Sequence, residues 1–267
     1  MITVRKIGFE FPDDVPFWFH PFSREANLIA NNLSMMAPAF ERYFIRAIRD
    51  AMPRIRSAAV REEADLFCKQ EGQHSRSHIE HQEMLLRRHP ALEAVRDRVV
   101  RSYADLYENE STEFALAYAT TIELGFKPMA KFLVGNRHVL FADGDPRITA
   151  LVLWHFVEEF EHRSAMYNVY QEVVGDYFYR MGTVGQTRRH VAALAADVRN
   201  AMEACEPLPN ENPDAPKIPR IERWKLALGL LETLSPLHDP NAGAVPRWID
   251  DWMAAYEAGH DMKHVAL

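Results

Sequence analysis

The amino-acid sequence predicts an all-α protein built around a four-helix bundle. Four segments of helical length each carry an apolar stripe at the 3.6-residue period, and each stripe contains a glutamate. Two of these glutamates, Glu71 and Glu159, begin a Glu-x-x-His motif. The 267 residues suffice for a sizeable core, and their composition, 48% hydrophobic and 26% charged, is that of an ordinary soluble protein.

Composition and charge argue against several classes of protein. The formal net charge of -7 gives no basic footprint for nucleic acid. No apolar run approaches the ~18 residues that span a bilayer, and the first residues lack the apolar core of a signal peptide. The two cysteines do not form a disulfide framework. We therefore expect a cytoplasmic protein with neither a nucleic-acid partner nor a transmembrane segment.

Three regions are expected along the chain. Residues 1–20 form an N-terminal arm, whose alternation of apolar and polar residues indicates an extended segment and leaves one strand open. Residues 21–205 form the bundle domain, and residues 206–267 form a linker and a C-terminal helical cap.

The first core helix is predicted at residues 23–51. Its stripe consists of apolar and small residues except for one carboxylate, Glu41. Pro38 lies inside this helix, where it is expected to cause a kink or a break.

The second core helix is predicted at residues 57–88. Its stripe continues through Glu71, His74 and His78. Glutamate and histidine three residues apart on a helix can reach the same metal ion. His81 lies farther round, in a polar run whose side chains we expect to be solvated.

A connecting helix at residues 89–110 returns the chain to the same end of the bundle, because some 20 helical residues span about 30 Å. The third core helix follows at residues 111–135 and again places one carboxylate, Glu123, on an apolar face. Pro128 removes a helical hydrogen bond one turn farther on, so a kink or bulge is expected near Glu123.

The fourth core helix is predicted at residues 146–180. His155, Glu159 and His162 are spaced at i, i+4 and i+7, so all three side chains point the same way from an apolar stripe. Burying them there is costly unless something coordinates or pairs them. Of the neighbouring glutamates, Glu158 flanks this stripe and Glu161 faces away from it.

A fifth helix at residues 186–205 is amphipathic and shows no ligand pattern. Two shorter helices follow the proline-rich linker, at residues 221–234 and 245–257. Their tryptophans indicate either a cap docked on the bundle or a subunit contact, which leaves a homodimer open.

The four stripes together supply a glutamate, a Glu-x-x-His pair, a second glutamate and a second Glu-x-x-His pair. This is the donor set of di-metal carboxylate sites in four-helix bundles. Two antiparallel hairpins would place all four groups at one level of the bundle. Buried polar pairs without a metal are the alternative. The predicted metal ligands are Glu41, Glu71, His74, Glu123, His155, Glu159 and His162.

On these residues the chain resembles the ferritin-like di-iron carboxylate superfamily. More narrowly, FCKQEGQHSRSH and LWHFVEEFEHRS resemble a bacterial family described as predicted metal-dependent hydrolases. The resemblance implies a ferritin-like bundle with a long crossover and extra C-terminal helices, and two iron ions, with manganese or a mixed pair as alternatives. The additional histidine, His155, resembles the seventh ligand of di-iron arylamine N-oxygenases. That similarity is local to the ligands and does not extend to the substrate.

Iron at such a site implies activation of O2 and oxidation of a small organic substrate. An electron-donor protein is then a possible partner. Hydrolysis by a metal-activated water is a second interpretation, and iron storage or redox buffering is a third. The residues do not identify the substrate, because no phosphate loop, basic pocket or nucleophile motif is present.

Two histidines near the motifs each have an expected role and an alternative one. His155 is expected to add a neutral nitrogen ligand to one metal; the alternative is that it packs behind the ligands and bonds a carboxylate. His78, one turn beyond His74, is expected to hydrogen-bond a ligand carboxylate or to line the cavity. A structural histidine at the end of the bundle is the alternative for His78.

Overall fold

The computed structural model describes residues 2–264, and within that range the chain is helical and contains no strand. The prediction of an all-α fold is confirmed, whereas the strand left open in the arm does not form. The α-helices are α1 Arg24–Ala51, α2 Ala58–Arg88, α3 Glu93–Asn109, α4 Thr112–Gly135, α5 Arg137–Leu140, α6 Pro146–Glu161, α7 Ala165–Val173, α8 Tyr177–Cys205, α9 Arg220–Glu232 and α10 Arg247–Glu257.

Two pairs of helices enclose the core. α1 packs along α2, α4 packs along α6 and α7, and α1 also contacts α4. α3 connects the pairs and lies against α1 and α8. This arrangement is compatible with a ferritin-like bundle, which stays a prediction.

Side-chain caps start each of the four bundle helices. The residues before α1, α2, α4 and α6 are Ser23, Ser57, Ser111 and Asp145, and each side chain accepts a hydrogen bond from a backbone N–H of the first turn. Such caps contribute roughly 1 kcal/mol each. They therefore fix where each helix begins.

α1 continues through Pro38 without the break that the sequence left open. Proline has no N–H, so the carbonyl of Ser34 loses its helical partner. The side chain of Gln82 in α2 replaces that partner by donating to the Ser34 carbonyl at 3.2 Å. A neighbouring helix thus satisfies the carbonyl that the proline leaves unpaired.

The prediction of one helix over residues 146–180 is wrong. α6 ends at Glu161, and α7 begins at Ala165 after a turn in which the Ala165 N–H donates to the His162 carbonyl at 2.8 Å. Ser164 in this turn donates to Glu63 at 2.9 Å, so tertiary contacts accompany the break.

A second break separates α7 from α8. Gly175 has a φ of +65°, and the side chain of Asp176 caps the new helix by accepting from the Tyr179 N–H. α8 therefore begins at Tyr177, not at residue 186 as predicted.

The N-terminal arm is extended and packs on the bundle. Phe9, Val15, Phe17 and Phe19 are all buried, and so is Arg5. Burial of these aromatic rings stabilises the packing of the arm against the helical bundle. Among the described residues, no helix is long and apolar enough to cross a membrane.

Candidate metal centre

The structure brings all seven predicted ligands together inside the bundle. They come from α1, α2, α4 and α6, and His162 follows the last residue of α6. Each is at most 2% exposed. The seven are Glu41, Glu71, His74, Glu123, His155, Glu159 and His162.

One group of donor atoms surrounds His162. Its Nε2 lies 3.0 Å from Glu159 Oε2, 3.5 Å from Glu71 Oε1 and 3.5 Å from Glu123 Oε2. Three helices thus contribute a carboxylate oxygen next to one imidazole nitrogen. The turn after α6 aims the ring of His162 at them.

A second group surrounds His74 and His155. The Nδ1 of His74 lies 3.3 Å from Glu71 Oε1 and 3.6 Å from Glu159 Oε1. The Nε2 of His155 lies 3.2 Å from Glu159 Oε1, and its Nδ1 lies 4.0 Å from Glu41 Oε1. Glu71 and Glu159 belong to both groups.

Most of these donor atoms have no hydrogen-bond partner within residues 2–264. Both carboxylate oxygens of Glu41, Glu71 and Glu123, the Nδ1 of His74, the Nε2 of His155 and the Oε1 of Glu159 are buried and unpaired. Leaving so many polar atoms unpaired inside a protein costs roughly 1–3 kcal/mol or more for each. Their common direction fits metal coordination, and trios of the donors lie within 4.8 Å of one another.

Burial and mutual repulsion perturb the acidic groups. Burial, followed by the charge of Glu71, raises the pKa of Glu41 well above its usual value. Burial, followed by the charge of Glu159, does the same to the pKa of Glu123. A metal ion would relieve both effects by supplying positive charge.

The histidines divide into two kinds. Burial alone would lower the pKa of His74 and of His162, but hydrogen bonds and charges from the neighbouring glutamates raise both pKa values well above the usual one. Burial and the nearby His74 lower the pKa of His155 well below its usual value. This shift favours the neutral form of His155, which is the form of imidazole that binds metal.

Comparison with known proteins gives one family. The profile of the family described as predicted metal-dependent hydrolase matches residues 3–256, which is nearly the whole chain. The chain belongs to this family. No curated protein and no solved structure matches it.

In this member of the predicted metal-dependent hydrolases, each clustered histidine has a polar partner on its outer nitrogen. His74 Nε2 lies 3.1 Å from Glu158 Oε2, and His162 Nδ1 lies 3.0 Å from Gln70 Oε1. Such partners fix the tautomer and the orientation of a metal-ligating ring. The inner nitrogens of both rings are thereby left to face the carboxylates.

The outer partner of His155 is a further histidine. His155 Nδ1 lies 3.1 Å from His78 Nε2, and His78 Nδ1 lies 2.9 Å from Ser34 Oγ. His78 thus bonds the imidazole of His155, whereas the expected hydrogen bond was to a ligand carboxylate. Ser34 Oγ also lies 2.7 Å from His81 Nδ1. His81 is fully buried, so the expectation that it is solvated is wrong.

Sequence reasoning missed several residues around the predicted metal-dependent hydrolase centre. Glu158 was expected only to flank the stripe, yet it is fully buried against His74. Arg5 and Gln70 showed no signal, because their partners lie far away in the sequence. The available clue for Glu158 was its position next to the predicted ligand Glu159 in the sequence.

Proposed function

We propose that this protein is a metal-dependent hydrolase whose buried centre holds two divalent metal ions. The observation that supports it most is the set of unpaired carboxylate and imidazole atoms, which face one another at the middle of the bundle. Seven ligands are enough for two ions when two carboxylates bridge them. The family description adds hydrolysis as the reaction class.

When bound, a pair of divalent ions lowers the pKa of a coordinated water and polarises a carbonyl or phosphoryl oxygen. The protein itself orients the ligand side chains and surrounds them with an environment of low dielectric constant. Aromatic rings surround the ligands: Phe67 lies 4.7 Å from the ring of His162, and Trp154 lies 4.9 Å from that of His74. These apolar walls exclude bulk water and strengthen electrostatic interactions within the centre.

A second candidate is a di-iron oxygenase or oxidase that activates O2 and oxidises a small organic substrate. The donor set favours it, since four carboxylates and three imidazoles suit iron or manganese. Iron held by these four carboxylates and three imidazoles would supply the redox chemistry of O2 activation, with an electron-donor protein as a further partner.

One experiment separates the two functions. The metal-free protein is loaded anaerobically with Fe²⁺, Mn²⁺ or Zn²⁺, and each form is assayed on chromogenic esters, amides and phosphoesters and is then exposed to O2. Hydrolysis that does not depend on O2 supports the first function. Absorption bands that form only with iron and O2, without hydrolysis by any form, support the second.

A matched pair of variants controls this experiment. Glu71→Ala removes a carboxylate shared by both groups of donors, whereas Glu80→Ala removes an exposed glutamate from the same helix. We expect the first to lose metal and activity and the second to keep both. Two bound metals and full activity in Glu71→Ala would exclude a di-metal centre at these residues.

A further inference from the structure

Arg5, on the N-terminal arm, contacts two glutamates of the second Glu-x-x-His helix. Its Nη1 lies 3.1 Å from Glu158 Oε1 and 2.9 Å from Glu161 Oε2, and its Nη2 lies 3.0 Å from Glu161 Oε1. Arg5 is 1% exposed. A planar guanidinium has the donor geometry to bond two carboxylates at once.

The first polar chain from Arg5 ends at His74. Arg5 donates to Glu158 Oε1, while Glu158 Oε2 accepts from His74 Nε2 at 3.1 Å. A neutral His74 ring that keeps its proton on Nε2 has its lone pair on Nδ1, the nitrogen that would bind a metal ion beside Glu71 and Glu159. The arginine thus holds the carboxylate that fixes this tautomer.

The second chain ends at His162. Arg5 donates to Glu161, and Glu161 Oε2 accepts from Gln70 Nε2 at 2.7 Å. The amide oxygen of Gln70 is thereby turned towards His162 Nδ1, 3.0 Å away. A neutral His162 ring that keeps its proton on Nδ1 has its lone pair on Nε2, the nitrogen that would bind a metal ion among the carboxylates.

Arg5 is also held from outside by α10. Its guanidinium carbon lies 5.8 Å from the ring of Trp252 and 5.2 Å from that of Tyr256, and these two rings are stacked at an interplanar angle of 3°. Cation–π contacts of this kind favour arginine and limit its motion. The arm and the C-terminal helix therefore both fix Arg5.

We propose that Arg5 is a positioning residue that sets the tautomer and orientation of both Glu-x-x-His histidines from one point. This inference rests on the proposed metal centre but not on which reaction it performs. His155 is independent of Arg5, because its outer nitrogen bonds His78. The N–H signal of His155 can therefore serve as an internal reference for the signals of His74 and His162.

The test uses the full-length protein loaded with Co²⁺, a paramagnetic ion that shifts the proton resonances of its ligands. In the wild type we expect an exchangeable N–H signal from each of His74, His155 and His162. In Arg5→Met the signals of His74 and His162 should shift or broaden through solvent exchange, while that of His155 stays. Competition with a chromophoric chelator should show cobalt binding that is 10–100-fold weaker, as for other outer partners of metal ligands.

Arg180→Met is the matched control, since Arg180 is an arginine of similar burial whose side chain donates to the Thr233 carbonyl. It should keep all three signals and the wild-type affinity. Three unchanged signals with unchanged affinity in Arg5→Met overturn the inference alone. A wild type that binds no cobalt overturns the metal centre as well.

If Arg5→Met does not fold, the variant Glu161→Gln tests the role of Arg5 instead. It leaves the Arg5–Glu158 pair in place and weakens the chain through Gln70. We then expect only the His162 signal to change. A spectrum identical to that of the wild type overturns the role of Arg5 at His162.

Discussion

His155 offers its two nitrogens to different neighbours. Nε2 is buried without a hydrogen-bond partner and lies 3.2 Å from Glu159, whereas Nδ1 faces His78. A histidine that merely packed behind the ligands would instead donate to a carboxylate. The geometry therefore favours Nε2 as a metal-binding atom.

We predict that His155→Ala folds and keeps at least one metal ion but alters the spectrum of the loaded protein and its reaction with O2. Alanine is the best helix former and adds no bulk, so α6 should persist. Metal analysis and absorption spectra of the variant provide the measurement. His138→Ala, an exposed histidine, is the control. Two metals, an unchanged spectrum and unchanged O2 reactivity would show that His155 is not a ligand.

His81 makes stability depend on pH. Burial lowers its pKa from 6.5 to about 3, so the folded state binds fewer protons than the unfolded state between these values. Stability contributed by this neutral histidine is present above the unfolded pKa and is lost as pH falls. Each pH unit in that window is worth about 1.4 kcal/mol.

We predict that His81→Gln reduces this acid sensitivity. Between about pH 7 and about pH 5, the wild type should lose roughly 2 kcal/mol more unfolding free energy than the variant. Urea denaturation at several pH values measures the gap between the two proteins. A gap that does not change with pH would mean that the pKa of His81 is the same in the folded and unfolded states.

The predicted ligands came from residue types at helical spacing, and spacing within one helix can be read directly from the sequence. Glu158 and Arg5 could not be found in this way. Glu158 lies beside the apolar stripe of α6. It is buried only because the N-terminal arm packs over that side of the helix. The same holds for His81, which Ser34 and the ring of Phe11 enclose.

At the level of the helices, the breaks between α6 and α7 and between α7 and α8 differ in whether the sequence predicts them. The second has a local cause, because Gly175 adopts a left-handed φ of +65° and Asp176 caps the helix that follows. The first lies between Glu161 and Ala165, where the sequence contains neither glycine nor proline. Its partners, such as Glu63, are distant in the chain, so periodicity alone predicted one continuous helix.

We predict that Gly175→Ala lowers the unfolding free energy by about 1–2 kcal/mol, the cost of a left-handed conformation in a residue with a Cβ. The added methyl would also lie 2.9 Å from the Gln171 carbonyl oxygen. Gly182→Ala, inside α8 with nothing within 4 Å of its Cβ, should instead stabilise by roughly 0.5–1 kcal/mol. Thermal and urea unfolding compare the two. Equal effects at both positions would contradict this account of the break.

For the whole molecule, the centre is a source of instability when metal is removed. Burial raises the pKa values of Glu41, Glu123 and Glu159, so the folded state holds protons that the unfolded state releases. For such acids, stability is lost as pH rises above their usual pKa range. A bound cation replaces those protons.

We predict that transition-metal ions raise the melting temperature of the metal-free protein increasingly as pH rises above about 5, because the three buried carboxyl groups then destabilise the metal-free fold, whereas His81 acts in the opposite direction. Mn²⁺, Fe²⁺ and Zn²⁺ should raise the melting temperature more than Ca²⁺, because three of the donors are imidazoles. The double variant Glu41→Gln, Glu123→Gln should flatten the pH dependence of the metal-free form. Melting curves that do not respond to any of these ions would exclude the centre.

The periodicity of apolar residues predicted the all-α class and the pairing of helices. It did not predict where the C-terminal helices α9 and α10 pack. α9 packs against α4, and α10 reaches Arg5 on the arm. The homodimer that the sequence leaves open is untested, and light scattering of the purified protein would test it.

The reach of Arg5 also has a consequence for the order of folding. Arg5 and Glu158 are separated by 153 residues, and Trp252 is synthesised later still. At about 5–20 residues per second, Arg5 is made on the order of ten seconds before its first carboxylate partner. Contacts of such long range form late. A nascent chain therefore exposes the aromatic residues of its arm during this interval, and Arg5 gains its contacts with the rings of α10 only after all the predicted ligands have been made.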